Sequence, residues 1–127
     1  GAYVCGNLCV LEGSFFELQR EDLADCSLVY DRAALIALEE PVRARYTDWM
    51  QSIMGDKADM LLVTLDYDQS EMNGPPFSVS TDEVVRHYGQ AFQVHTMLQT
   101  EIVDDSPRWR SKGLSSLVES VYQLEQK

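Results

Sequence analysis

Residues 27–67 read SLVYDRAALIALEEPVRARYTDWMQSIMGDKADMLLVTLDY, and the succession of patterns in this stretch decides the fold. Ser27-Leu28-Val29-Tyr30 is short and β-prone and runs into the charged pair Asp31-Arg32. From Pro41 to Met54 the apolar side chains Val42, Tyr46, Trp49, Met50, Ile53 and Met54 recur at i, i+4, i+7, i+8, i+11 and i+12, the stripe of one helix face. Pro41 suits a first helical turn and Gly55 a stop. Ala58 to Tyr67 then carries the continuous run Met60-Leu61-Leu62-Val63 and β-branched Thr64, which reads as a strand covered on both faces, as parallel strands are. Strand, helix, strand in that order is a βαβ unit, so an α/β fold with a right-handed crossover is expected. Ligands belong outside the carboxyl ends of such strands, here Asp31-Arg32 and Asp66-Tyr67-Asp68.

Outward from this unit the signals are local. Tyr3 to Leu11 is apolar and β-prone around Gly6-Asn7, a hairpin or two short strands. Ser80-Thr81-Asp82-Glu83 is a capping box in which Ser80 and Glu83 can satisfy each other's backbone donors, starting a helix that runs to about Tyr88. Phe92, Val94, Thr96 and Leu98 alternate with polar partners up to Gln99, a strand pattern. In the tail, Leu114, Leu117, Val118, Val121 and Tyr122 fit helical spacing, whereas Val121-Tyr122-Gln123-Leu124 fits a strand; periodicity leaves both open.

With 127 residues, 45% hydrophobic and 24% charged, and with no repeat or linker, the whole of 1–127 reads as one domain. Ten Lys and Arg against 21 Asp and Glu, a net charge of -11, argue against nucleic acid and anionic membranes as partners. No apolar run is long enough to span a bilayer, Met60 to Val63 included. Cys5, Cys9 and Cys26 are an odd number without a leader-like segment, which points to a reducing, cytoplasmic setting. The sequence opens at Gly1 without methionine and enters strand-like residues almost at once, as a fragment or processed product would.

Three constellations carry chemistry. Asp31-Arg32 is either an N-cap acid beside a solvated cation, or it projects Arg32 into the crevice as a fork for an anion. Leu65-Asp66-Tyr67-Asp68 is followed by Gly74-Pro75-Pro76-Phe77, whose two prolines stiffen the backbone and present Phe77 in a defined direction; the alternative is a rigid surface turn. Ser106 to Gly113 is the one local basic cluster, either a solvated loop or the source of a second cation beside Arg32. His87 and His95 lack companions at metal-ligand spacing, and Cys5 and Cys9 lack a second pair, so no metal is expected. There is no GxSxG elbow and no Gly-rich phosphate loop, which leaves hydrolase and nucleotide-triphosphate chemistry without support.

Gly13-Ser14-Phe15-Phe16-Glu17-Leu18, Tyr30-Asp31-Arg32-Ala33-Ala34-Leu35-Ile36-Ala37-Leu38, Leu65-Asp66-Tyr67-Asp68 and Gly74-Pro75-Pro76-Phe77-Ser78-Val79, in this order and spacing, resemble the thiopurine S-methyltransferase family. Gly113-Leu114 followed by Val121-Tyr122-Gln123-Leu124 fits as well, so the likeness runs nearly end to end. The resemblance implies an S-adenosylmethionine-dependent methyltransferase of the Rossmann-like class I, moving a methyl group to a thiol or to selenium or tellurium species. It implies Arg32 and Arg108 as the catalytic arginines beside the acceptor, with Ser14, Phe15 and Arg32 at the cofactor and Tyr67, Pro75, Pro76 and Phe77 as the acceptor's wall. A guanidinium there favours the thiolate, the nucleophile of an in-line methyl transfer.

The resemblance also implies an incomplete sheet, comprising the third to seventh strands with the last two antiparallel, taken from a full order of 3-2-1-4-5-7-6. The tail is then a strand, and Asn7 to Leu18 corresponds to the third strand and the segment immediately after it. The substrate-covering segment, the first strand with its glycine-containing cofactor loop, and the second strand with its ribose-binding acid have no counterpart here. The Ser27 to Tyr30 strand would accordingly expose a bare edge that pairs with Asn7 to Leu11, forms a homodimer, or needs a companion segment. The second functional reading is a non-catalytic methyltransferase remnant that binds a ligand or oligomerises.

Overall fold

The computed structural model describes residues 1–23 and 25–127. The βαβ unit is present: β3 (Leu28–Arg32) runs parallel to β4 (Asp59–Asp66), joined through α1 (Glu40–Met54). The hairpin that precedes it is formed by β1 (Ala2–Cys5) and β2 (Leu8–Leu11). After β4 come α2 (Thr81–Tyr88), β5 (Phe92–Glu101), the short α3 (Pro107–Ser111) and β6 (Val118–Gln126). The tail is therefore a strand. It inserts between β4 and β5, antiparallel to both, and gives a mixed four-stranded sheet in the order β3-β4-β6-β5.

One face of this sheet carries the main core. Met60 and Leu62 of β4 and Tyr122 and Leu124 of β6 are 0% exposed there, packed against Tyr46, Met50 and Met54 of α1 and Val84 and Tyr88 of α2. The α1 side chains are those of the sequence stripe, with Val42 and Trp49 at its half-buried margins. The expectation that β4 is covered on both faces is corrected, since its burial alternates from Asp59 to Val63 and Leu61 and Val63 are only half-buried. No helix among the described residues packs on that second face in the way α1 and α2 pack on the first.

Three finer expectations are also corrected. The Ser80 hydroxyl caps α2 by accepting from the Glu83 amide at 3.1 Å, but the Glu83 carboxylate turns to a buried arginine instead of completing the box. The alternation of β5 breaks at a register shift between Thr96 and Leu98, which leaves Met97 58% and Leu98 57% exposed. The β1–β2 hairpin forms its own two-stranded sheet, so Asn7 to Leu11 does not pair with β3. The outer edge of β3 is open among the described residues, and Leu28 and Tyr30 are each 62% exposed.

Candidate functional site

Alternation along β3 separates two charged neighbours. Val29 and Asp31 point to the α1 side, whereas Leu28, Tyr30 and Arg32 point to the opposite face. Ala33 follows with φ 65°, a left-handed conformation that costs an L-residue about 1–2 kcal/mol. It swings the chain into a 3-10 turn, Leu35–Ala37, which buries Leu35 in the core and leaves Arg32 exposed at the strand end.

The loop after β4 is held by a chain of directed hydrogen bonds. The Tyr67 hydroxyl donates to the Pro76 carbonyl at 2.6 Å and accepts from Gln69 Nε2 at 2.9 Å. The same Gln69 amide donates to the Met72 carbonyl at 2.8 Å, while its Oε1 accepts from the Ser78 amide at 2.9 Å. The Phe77 amide donates to the Ile36 carbonyl at 2.6 Å and fastens the loop to the turn after β3. Gly74, at φ 85°, is required at the bend, because a Cβ there would lie 2.6 Å from a Phe77 ring carbon.

Arg108 arrives from α3. Its guanidinium carbon sits 4.2 Å from the centroid of the Trp109 ring, and that indole is buried with Leu65, Tyr67, Val103, Leu114 and Leu117 in a second apolar cluster. Arg32, Arg108 and Pro76 thereby line one cleft of about 310 Å³, with Val63 and Leu65 as its floor and Ile36, Trp109 and Glu119 around it. Among the described residues neither Arg32 nor Arg108 makes a salt bridge, whereas Arg110 of the same basic cluster is taken by Asp104 at 2.6 Å.

The other residues singled out in the sequence are distributed around this cleft. Tyr67 is buried behind Pro76 and supports it. Pro75 borders a depression with Asn73 and Lys112, and Phe77 borders another with Glu39, Arg43 and Gln69. Ser14 and Phe15 lie in a groove of about 380 Å³ that also holds the carboxylates Glu12, Glu17 and Asp22. Ser14 caps the turn Phe15–Glu17 by accepting from the Phe16 amide at 3.3 Å. The Phe15 ring lies 4.6 Å from that of Tyr46, whose hydroxyl donates to Asp31 Oδ2 at 2.9 Å, so a packed chain connects this groove to the residue beside Arg32.

Two residues of the site escaped sequence reasoning. Gln69 sits between the two motifs of its own loop, and nothing in its type marks it as the bond that ties them. Glu119 lies in the tail whose element type periodicity left open; only its register opposite Leu65 places it at the cleft.

Behind the cleft, charge is buried in partnership. Burial pushes the Asp31 carboxyl above its ordinary range, with the Tyr46 hydrogen bond opposing, and pushes the Tyr46 phenol up as well, reinforced by the Asp31 charge. Arg43 Nε and Nη2 donate to the two oxygens of Glu83 at 2.7 and 3.0 Å, Nη1 donates to the Leu38 carbonyl at 2.7 Å, and His87 Nε2 lies 3.0 Å from Glu83 Oε2. Burial alone would raise the Glu83 pKa, but the hydrogen bonds from Arg43 and His87 outweigh it and hold the carboxyl below its ordinary value.

Fold and cleft together define an α/β protein with a crevice at the carboxyl ends of a parallel strand pair, lined by two arginines that make no salt bridge among the described residues. Residues 2–127 match the family described as "Thiopurine S-methyltransferase (TPMT)". Among similar proteins, the thiopurine S-methyltransferase of Marinobacter nauticus is 44% identical over 116 residues, covering 91% of this chain and 53% of that protein. That of Nitrosospira multiformis is 41% identical over 115 residues, covering 91% and 52%. One from Pseudomonas putida is 46% identical over 112 residues, covering 88% and 51%. The chain belongs to the thiopurine S-methyltransferase family, and it spans about half the length of the curated relatives it matches.

Proposed function

We propose that the chain carries the acceptor side of an S-adenosylmethionine-dependent methyltransferase whose acceptor is a thiol, aromatic in the first instance, or a selenium or tellurium species. The observation that carries this reading is the convergence of Arg32 and Arg108, from elements far apart in sequence, on one largely apolar cleft, with no carboxylate among the described residues bound to either. Two guanidinium groups facing an apolar wall favour the ionised form of a sulfur acid and fix where it sits. Ile36, Val63, Leu65 and Pro76 cover the remainder of the ligand, lowering the local dielectric and excluding competing water. No side-chain base is needed when the acceptor enters as its thiolate.

The residues present fit the cofactor in part. The Ser14–Phe15 groove combines an aromatic ring seated on Tyr46 with several carboxylates able to accept from amine and hydroxyl donors, which supports an adenosine-binding role. A glycine-containing cofactor loop is not among these 127 residues. When bound, S-adenosylmethionine would supply the electrophilic methyl group; Phe15 would pack on the base, and Arg32, linked to Phe15 through Tyr46 and Asp31, would hold the acceptor sulfur.

The observed strand order β3-β4-β6-β5 agrees with the last four strands of the incomplete Rossmann-like sheet, which supports reading β3 as its fourth strand. The open, apolar edge of β3 supports strand addition by a second copy of the chain, tested by sedimentation equilibrium over a range of concentrations. Three exposed free cysteines agree with a reducing cytoplasm, and among the described residues no helix is long and apolar enough to cross a membrane.

Calorimetric titration of the chain with thiophenolate and with S-adenosylhomocysteine tests the reading. Binding of both, with the thiolate affinity reduced at least tenfold in Arg32→Ala and in Arg108→Ala, supports it. Binding of neither favours a non-catalytic remnant.

A further inference from the structure

The cleft has a charged residue of opposite sign at its far wall. Arg32 pairs with Val63 in the β3–β4 register, and Glu119 pairs with Leu65 in the β4–β6 register, so all four side chains share the open face of the sheet. Strand spacing of about 4.8 Å and a rise of about 3.3 Å per residue put the Arg32 and Glu119 Cα atoms roughly 11–12 Å apart across β4. The Val63 and Leu65 side chains form the apolar floor between them. Glu119 is half-buried, and among the described residues its carboxylate has neither a salt bridge nor a hydrogen bond.

A half-buried carboxylate without a protein partner at the rim of a largely apolar cleft is free to engage a donor brought into the cleft. Glu119 is too far along the sheet to neutralise Arg32 directly, yet both reach the same volume. The cleft is thus polarised along its length, with cations at the Arg32 and Arg108 end, an acceptor at the Glu119 end and hydrocarbon between.

Resting on the thiol-acceptor reading, we propose that Glu119 determines specificity: it selects acceptors that carry an anionic sulfur at one end and a hydrogen-bond donor, such as a ring N–H, at the other, and it rejects acceptors with a second anion. A flat heteroaromatic thiol with a ring N–H satisfies every group in the cleft. A rigid dianion fails in either orientation, because one of its charges must face the carboxylate.

The test is titration calorimetry of the full chain, and of Glu119→Gln, with thiophenol and para-mercaptobenzoate at a pH where both thiols are ionised. The wild-type chain binds thiophenolate about tenfold or more tighter than the dianion, a like-charge penalty of the size expected in a partly buried site. Glu119→Gln, nearly isosteric and at a half-exposed position, brings the two affinities within about threefold, because losing the carboxylate improves the dianion far more than thiophenolate, whose charge sits at the arginine end. A mercaptopurine probe binds Glu119→Ala several-fold more weakly than wild type. A wild-type preference that survives Glu119→Gln overturns the assignment while leaving the thiol cleft standing; failure of the wild-type chain to bind any of the three thiols overturns the cleft itself.

Discussion

The two faces of the central sheet treat charge in opposite ways. On the face under α1 and α2, the buried carboxylates and the buried guanidinium among the described residues are partnered: Arg43 is clamped by Glu83, Glu83 also meets His87, and Asp31 accepts from Tyr46, while the neutral Tyr88 hydroxyl is buried without a partner. On the other face, Arg32, Arg108 and Glu119 stand in one cleft with no salt bridge among the described residues. Paired charges that cost desolvation to bury serve the fold, whereas unpaired ones at a strand end are available to a ligand. The β3 backbone makes the division in a single step, because Asp31 and Arg32 are adjacent and point to opposite sides.

Removing charge from the covered face is the hardest test of this contrast. Arg43→Ala strips Glu83 of both guanidinium bonds and leaves a buried carboxylate, and a loss of about 3–5 kcal/mol in urea unfolding is expected. Tyr46→Phe deletes the donor to Asp31 and should cost about 1–3 kcal/mol by the same measurement. Arg32→Ala, by contrast, should alter unfolding free energy by no more than about 0.5 kcal/mol, since the side chain is exposed and makes no salt bridge among the described residues. A stability loss at Arg32 as large as that at Tyr46 would erase the distinction between the faces.

A subtler test uses pH. Glu83 titrates below its ordinary 4.5 in the folded chain, so its contribution is complete above that value and is lost as pH falls through the lowered one. Asp31 titrates above its ordinary 3.8, so its contribution is greatest below 3.8 and is lost as pH rises through the raised value. Melting temperatures of wild type and Asp31→Asn across roughly pH 3–7 should therefore diverge in slope. With Asp31 gone, stability should fall more steeply on acidification, because its opposing contribution no longer offsets that of Glu83 and the other carboxyls held below their ordinary values, Asp68, Glu101 and Asp104; parallel curves would remove Asp31 from the account.

Where the sequence was legible, local periodicity sufficed. The α1 stripe, the β3 and β4 runs and the Ser80 cap depend on neighbours within a few turns, and each lies within two residues of its expected position. The tail could not be settled by spacing, because β6 owes its conformation to strands on both sides. Glu83 sits at the right place for a capping box, but Arg43, 40 residues away, offers two charge-assisted bonds in place of one to its own helix. Likewise Arg32 and Arg108 were readable as cations, while their meeting at one cleft with Glu119 depends on the strand order. Pro75 and Phe77, grouped by sequence with Pro76, line separate depressions because the tethered loop turns successive side chains in different directions.

The Arg108 guanidinium stacked on the Trp109 ring also gives the molecule an optical handle. Only two tryptophans are present, so in a Trp49→Phe background the emission comes from an indole at the wall of the cleft. Any ligand that draws Arg108 away from the ring changes the cation against that chromophore. Intensity and wavelength would then follow the arginine directly, and a stopped-flow trace could time its movement as a ligand enters the cleft.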